Sequence, residues 1–424
     1  MSNVIEVKSV RTGDMYYKIE HDSGLAIYLY PKKDYNSKYA IFGTHFGSVN
    51  NAFSLDGGDV KKVPDGIAHY LEHKMFECED GDAFAKYAKT GANANAYTSF
   101  NKTCYLFSCT ENFDESFDIL LDFVQRPYFT EETVAKEQGI IGQEIRMYDD
   151  SAEWVVMFNL LKSMYKSHPV QLDIAGTVES IAEITPELLY DCYYTYYNLN
   201  NMVLCVSGDL SVEDVLKTAD KKLKKCEKHD IKSYFKDEPY EVCSHYIEQK
   251  FPVSVPLFNF GYKEKAHKVS QKESAEIDII MTVLTSPSFE LYNKLDEAKL
   301  INQSFDAEYF DGQGYNSVIF SGESRSPEEA ASVIKEFIEK LKAEGLSAED
   351  FEIAKKEVYG DLVSSLNNVE AIANALVDAH FNETDMFGFI DDVADCTVED
   401  VNLRLKNMFD TDNTVLSVIL PDKE

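Results

Sequence analysis

The stretch "GIAHYLEHKMFE", residues 66–77, sets His69 and His73 four residues apart, with Glu72 directly before the second. Its apolar spacing predicts a helix over 67–75. On a helix, positions i and i+4 share a face, so both imidazoles can reach one ion. Glu72 stays near that face and can serve a water without being a ligand. The order H-x-x-E-H reverses the commoner H-E-x-x-H but asks for the same chemistry. Two neutral imidazoles hold a borderline-soft cation, and a carboxylate takes the proton of its water. A hydrolytic zinc site needs a third protein ligand and keeps one position open. Candidates lie in "KEQGIIGQEI", residues 136–145, where Glu137 and Glu144 are about two helical turns apart and share a face. Spacing does not choose between them. A structural ion would use the same histidines, and Leu71 and Phe76 would equally suit a helix merely packed in a core.

Outward from this helix the chain alternates. "YYKIEHDSGLAIYLYPKK" (16–33) reads as a hairpin turning at Asp22 to Gly24, and "YAIFGTHFGS" (39–48) as a strand. "DGDAFAKYAKTG" (80–91) is a short helix stopped by Gly91, and "ANAYTSFNKTCYLFSCT" (94–110) returns to strand character. A long helix follows Thr130, its predicted cap, and "NMVLCVSGDL" (201–210) closes the block as a strand. After the lysine-rich stretch 221–241 the layout recurs in outline. "FPVSVPLFNFGYKE" (251–264) is strand-like, 274–301 mostly helical, 303–324 a hairpin, and "NTVLSVILP" (413–421) a last strand. The expected organisation is an N-terminal α+β domain over 1–220 carrying the histidines, a linker over 221–241, and a degenerate repeat over 242–424. Each domain is expected to be a mostly antiparallel sheet with helices packed on it.

Formal net charge is −33 with 27% charged and 44% hydrophobic residues. That argues against nucleic acid or an anionic membrane as partner, since either would meet like charge. The eight cysteines form no C-x-x-C pair and several sit in apolar runs. They read as buried free thiols of a reducing compartment. With no signal-peptide core and no membrane-length apolar run, a cytoplasmic location is expected.

Beyond "HYLEH", the chain contains "GANANAYTSFNKTCYLF" (91–107), "RPYFTEETVAKEQGIIGQEI" (126–145), "HPVQLDIAGTVESIAEIT" (168–185) and "YYNLNNMVLCVSGDL" (196–210). In this order they resemble the pitrilysin/insulinase family of inverted zinc peptidases. The wording is most similar to the short bacterial processing-peptidase-like members. The resemblance implies a zinc metalloendopeptidase acting on short or unfolded peptides, with one Zn2+ per chain. It implies His69, His73 and Glu144 as zinc ligands, Glu72 as general base and Glu137 as supporting carboxylate. It also implies that a peptide substrate adds as a strand beside Asn95 and Ala96. The chain would be half of the clamshell of the long family members. Dimerisation is implied, as a homodimer or with a related subunit.

One departure stands out. Active members often carry an arginine and, seven residues later, a tyrosine that hold the substrate carbonyl. The matching "LDEAKLINQ" (295–303) has Asp296 and Gln303 there, and a carboxylate cannot donate to an oxyanion. Tyr309 and Tyr315 are the nearby phenols. The alternative reading is therefore a non-catalytic or partner-dependent peptide-binding subunit.

Overall fold

A computed structural model describes residues 2–422. The chain forms two compact units, one made of residues up to 145, 173–234 and 363–387, the other of 146–172, 235–362 and 388 onward. In the first, β1 (Asn3–Lys8), β2 (Met15–Glu20), β3 (Ala26–Pro31), β4 (Lys38–Thr44), β5 (Asn93–Thr98), β6 (Thr103–Cys109) and β7 (Met202–Gly208) make one sheet. Its order is β1-β2-β3-β7-β4-β6-β5. Every neighbouring pair is antiparallel except β3 with β7. The apolar runs "KYAIFGT" and "MVLCVSG" become the central strands β4 and β7, buried almost throughout. The polar "NANAYT" becomes β5, half-exposed at the open end of the sheet. A tight turn over 21–25, with Gly24 at φ 99°, joins β2 to β3.

In the second unit, β8 (Tyr246–Phe251), β9 (Leu257–Glu264), β10 (Asp306–Gly312), β11 (Tyr315–Glu323) and β12 (Thr414–Pro421) pair in the order β8-β12-β9-β11-β10. Only β8 and β12 run parallel. Strand for strand and direction for direction, this repeats β3-β7-β4-β6-β5. The two-lobed α+β architecture expected from the sequence is present, and the first unit adds β1 and β2 at one edge. Buried Phe258, Phe260, Ile280, Leu284, Ile334 and Val418 belong to the core of the second unit.

The helices that carry or brace the site and the two sheets are α1 (Ile67–Met75), α2 (Glu131–Asp149), α3 (Ala152–Met164), α4 (Gln271–Thr285) and α5 (Val369–Phe381). Ile280 and Leu284 of the second core lie on α4. The units do not follow chain order. Helix α3, encoded in the first repeat, packs on β12 and β9; α5, encoded in the second, packs on β7 and β4. These are equivalent strand pairs. The backbone leaves room in the same way each time. A Cβ on Gly43 of β4 would come within 3.2 Å of Phe381 and 3.4 Å of Val377, and one on Gly261 of β9 within 2.8 Å of Met164. Part of the 221–241 stretch is also ordered into sheet, because Ile231–Ser233 pairs antiparallel with residues 53–55.

Candidate metal centre

Helix α1 starts at Gly66, whose φ of 88° suits glycine, and no side chain caps it. A Cβ there would lie 2.3 Å from the Ala175 carbonyl oxygen, and one on Gly176 would lie 2.4 Å from that of Asp65. The two loops therefore interlock. Ser180 Oγ adds a hydrogen bond to the Asp65 carbonyl at 2.8 Å. Eight of the nine residues of α1 are buried, His69 and Glu72 included. Helix α2 is capped by Thr130, whose Oγ1 accepts from the Thr133 amide at 3.2 Å, and Glu131 and Glu132 fill its first turn. The Tyr70 hydroxyl donates to the Val134 carbonyl at 2.5 Å and ties α1 to α2.

That tie brings Glu144 to the histidines. His69 Nε2 lies 3.6 Å from Glu144 Oε1, and His73 Nε2 lies 3.3 Å from Glu144 Oε2. One donor atom from each of His69, His73 and Glu144 falls within 4.8 Å of the others, the one such grouping among the described residues. Tetrahedral zinc with bonds of ~2.0–2.1 Å sets its ligand atoms about 3.3 Å apart. The three residues therefore fit a single Zn2+. Glu137, on the same helix as Glu144, does not join this grouping. Its Oε1 accepts from His73 Nδ1 at 3.1 Å, which turns Nε2 toward Glu144. The Nδ1 of His69 is buried with no hydrogen-bond partner among the described residues.

The electrostatics suit a cation. Burial pulls His73 down, but hydrogen bonds to Glu137 and Glu144 and the charge of Glu72 hold it at about 10. Without metal this imidazole keeps a proton amid three carboxylates, and a divalent ion can replace that charge. Burial works against ionisation of Glu137, yet the His73 hydrogen bond and charge keep its carboxyl below the ordinary value. Glu72 is moved the other way. Burial raises it, opposed by His69 and by a hydrogen bond from Thr98 Oγ1 at 2.8 Å. Thr98, the last residue of β5, was not among the sequence candidates, and no local pattern marks it.

Asn95 and Ala96 lie on β5, opposite Leu106 and Tyr105 of β6. Asn95 is exposed, and its Oδ1 accepts from the Ala96 amide at 2.9 Å. The β5–β6 hairpin is held from behind: Tyr97 donates to Asn374 of α5 at 3.3 Å and Lys102 pairs with Asp378. In the second unit Asp296 and Gln303 are exposed. Tyr309 donates to Glu264 at 2.7 Å and receives Arg404 at 3.0 Å, while Tyr315 is buried against Tyr165 and His168.

A partly buried His/His/Glu site, its histidines on an inverted H-x-x-E-H helix at one end of a mostly antiparallel sheet, defines a zinc metallopeptidase. The profile of the family described as Insulinase (Peptidase family M16) matches residues 50–178, and that of the Peptidase M16 inactive domain matches residues 183–358. The chain belongs to peptidase family M16. It is 37% identical over 414 residues to the Uncharacterized zinc protease YmfH of Bacillus subtilis, covering 96% of each. It superposes on an M16-like peptidase from Alicyclobacillus acidocaldarius with a TM-score of 0.91 and 32% identity over 99% of both chains. The fold is shared, at a TM-score of 0.71 and 18% identity, with the first half of the periplasmic protease PqqL from Escherichia coli, covering 98% of this chain and 92% of that one. This last likeness corrects the expected cytoplasmic location. A fold carried by a periplasmic protein is not tied to a reducing compartment, and buried free thiols reflect packing. No helix among the described residues is long and apolar enough to cross a membrane.

Proposed function

We propose that the chain hydrolyses internal bonds of short or unfolded peptides, with His69, His73 and Glu144 as zinc ligands and Glu72 as general base. The observation that carries this reading is the convergence of the three ligand side chains beside a buried glutamate that is not one of them. Bound zinc supplies Lewis acidity to the scissile carbonyl and acidity to the attacking water. Glu72 takes a proton from that water and hands it to the leaving amine, and its raised proton affinity suits both steps. Glu137 orients His73 through Nδ1. The substrate adds to β5 along Asn95 and Ala96 by backbone pairing, displacing the Asn95 side chain from the Ala96 amide. Such pairing reads extended backbone rather than side-chain identity, which favours flexible peptides.

The chain works as a dimer in this reading, with itself or with a related subunit of the processing-peptidase kind. Support comes from the 29% identity over 183 residues to the Mitochondrial-processing peptidase subunit beta of Caenorhabditis elegans. A partner-dependent form of the same activity is favoured by one observation: the guanidinium and phenol expected at 296 and 303 are absent, and Tyr309 is committed to Glu264 and Arg404. Cleavage of an unstructured peptide library by the purified chain, with zinc content measured on the same sample, tests the proposal. Glu72→Gln is expected to lose about a hundredfold or more of the rate while keeping its zinc. An equally active variant would overturn the role of Glu72. Zinc without cleavage would favour the partner-dependent form.

A further inference from the structure

We propose that Thr98 is the positioning residue for Glu72: its hydroxyl fixes one carboxylate oxygen and leaves the other to work on the water. The inference rests on the peptidase reading above. Thr98 Oγ1 lies 2.8 Å from Glu72 Oε2 and 3.3 Å from Thr103 Oγ1. The Thr103 hydroxyl, fully buried, lies 2.8 Å from the Phe46 carbonyl, which can only accept. Thr103 therefore spends its proton on that carbonyl and has none for Thr98. The single proton of Thr98 goes to the nearer acceptor, Glu72. A carboxylate on a flexible side chain otherwise has two equivalent oxygens and a freely turning last torsion. One charge-assisted hydrogen bond from a strand removes that freedom.

The duplicated fold supplies an internal comparison. Thr98 faces Thr103, which faces Thr44; in the second unit Tyr309 faces Val318, which faces Tyr262. Thr44 and Tyr262 directly follow the matched Gly43 and Gly261, so Thr98 and Tyr309 hold the same place on their terminal strands. Both hydroxyls donate to a glutamate, Tyr309 to Glu264 at 2.7 Å. In the second unit that glutamate is locked by a two-pronged pair with Arg404 at 2.6 and 2.7 Å. In the first, Glu72 has the histidines and Thr98 in place of an arginine. The shared position thus carries a rigid structural anchor in one repeat and an aiming device for a working carboxylate in the other. Because Thr98 ends the strand that carries Asn95 and Ala96, it also links the peptide-pairing edge to the base.

The test uses the full-length zinc-loaded chain and its Thr98→Val, Thr98→Ser and Glu72→Gln variants, assayed on an unstructured peptide and crystallised. Thr98→Val keeps the shape and removes the hydroxyl. Its expected result is a kcat lower by about ten- to a hundredfold, with KM and zinc stoichiometry unchanged. Thr98→Ser is expected to recover to within about threefold of the parent. In crystals of Thr98→Val the Glu72 carboxylate should be turned or split between orientations, and in Thr98→Ser it should stay as in the parent. A Thr98→Val enzyme within about twofold of the parent, a loss confined to KM, a loss serine does not restore, or an unmoved Glu72 carboxylate would each overturn the proposal. A zinc-loaded parent that cleaves nothing would instead favour the partner-dependent form, and an equally active Glu72→Gln would overturn the role of Glu72 as base. The crystallographic orientation of Glu72 then decides the role of Thr98 alone.

Discussion

At the scale of single residues, the site depends on which nitrogen of His73 points where. Glu137 sets this by accepting from Nδ1. Glu137→Gln should therefore weaken zinc binding by about ten- to a hundredfold without unfolding the chain; competition with a chelator of known affinity reads it directly, and unchanged affinity would remove Glu137 from the site. His69, Glu72 and His73 were legible in the sequence because an i,i+4 pair is a local fact of helix geometry. Spacing alone left the choice between Glu137 and Glu144 open, since both lie on one face of α2, and the family resemblance implied Glu144. In the structure Glu144 meets the histidines because Tyr70 holds α1 against Val134, a contact between segments 64 residues apart. Thr98 was invisible for a similar reason: nothing in "ANAYTSF" says that its threonine will meet a glutamate on another element.

At the scale of elements, the periodicities were readable. The helix over 67–75, the hairpins and the final strand fall where alternation and helical spacing put them. The loops that brace them are less so. Gly66 and Gly176 interlock in positive φ, so Gly66→Ala combines strain with a backbone clash. It should cost about 2 kcal/mol or more in urea unfolding and loosen zinc with it. A variant as stable as the parent would show that the loops can part cheaply. In the second unit, His168 caps a short turn, its Nδ1 accepting from the Val170 amide while Nε2 donates to the Gln313 carbonyl. Burial pushes this imidazole down to about 4. A base with a lowered folded value binds fewer protons folded than unfolded. Its contribution is thus complete above the free value near 6.5 and drains away as pH falls toward 4. His380, also pushed down to about 4 by burial, acts in the same direction. Unfolding free energy should fall between pH 6.5 and 4, and His168→Asn, which keeps a capping acceptor, should be less stable at pH 7 but show a shallower fall. Parallel pH profiles for the two proteins would rule out His168 as a source of the slope.

At the scale of the whole molecule, the repeat of strand order was suggested by the sequence, and the reciprocal placement of α3 and α5 was not. Each is an apolar helix whose pattern says that it needs a sheet without saying which sheet. Gly43 and Gly261 mark the seats, but a lone glycine in a strand has many other readings. A fragment ending at residue 220 keeps all seven strands of the first sheet and lacks the helix that covers β4 and β7, while its own α3 has no β9 or β12 to rest on. Such a fragment should show no cooperative unfolding and little zinc binding; a well-folded, zinc-loaded fragment would contradict this. The same arrangement bears on the order of synthesis. The first sheet has all its strands once residue 208 has left the ribosome, yet its covering helix ends at Phe381. The strand β12 that α3 waits for follows every other strand of the second sheet in the chain. Neither half can mature while the other is still being translated, so the nascent chain must carry exposed apolar strands through most of its own production. That makes it a natural client for holdase chaperones until α5 and β12 have both emerged.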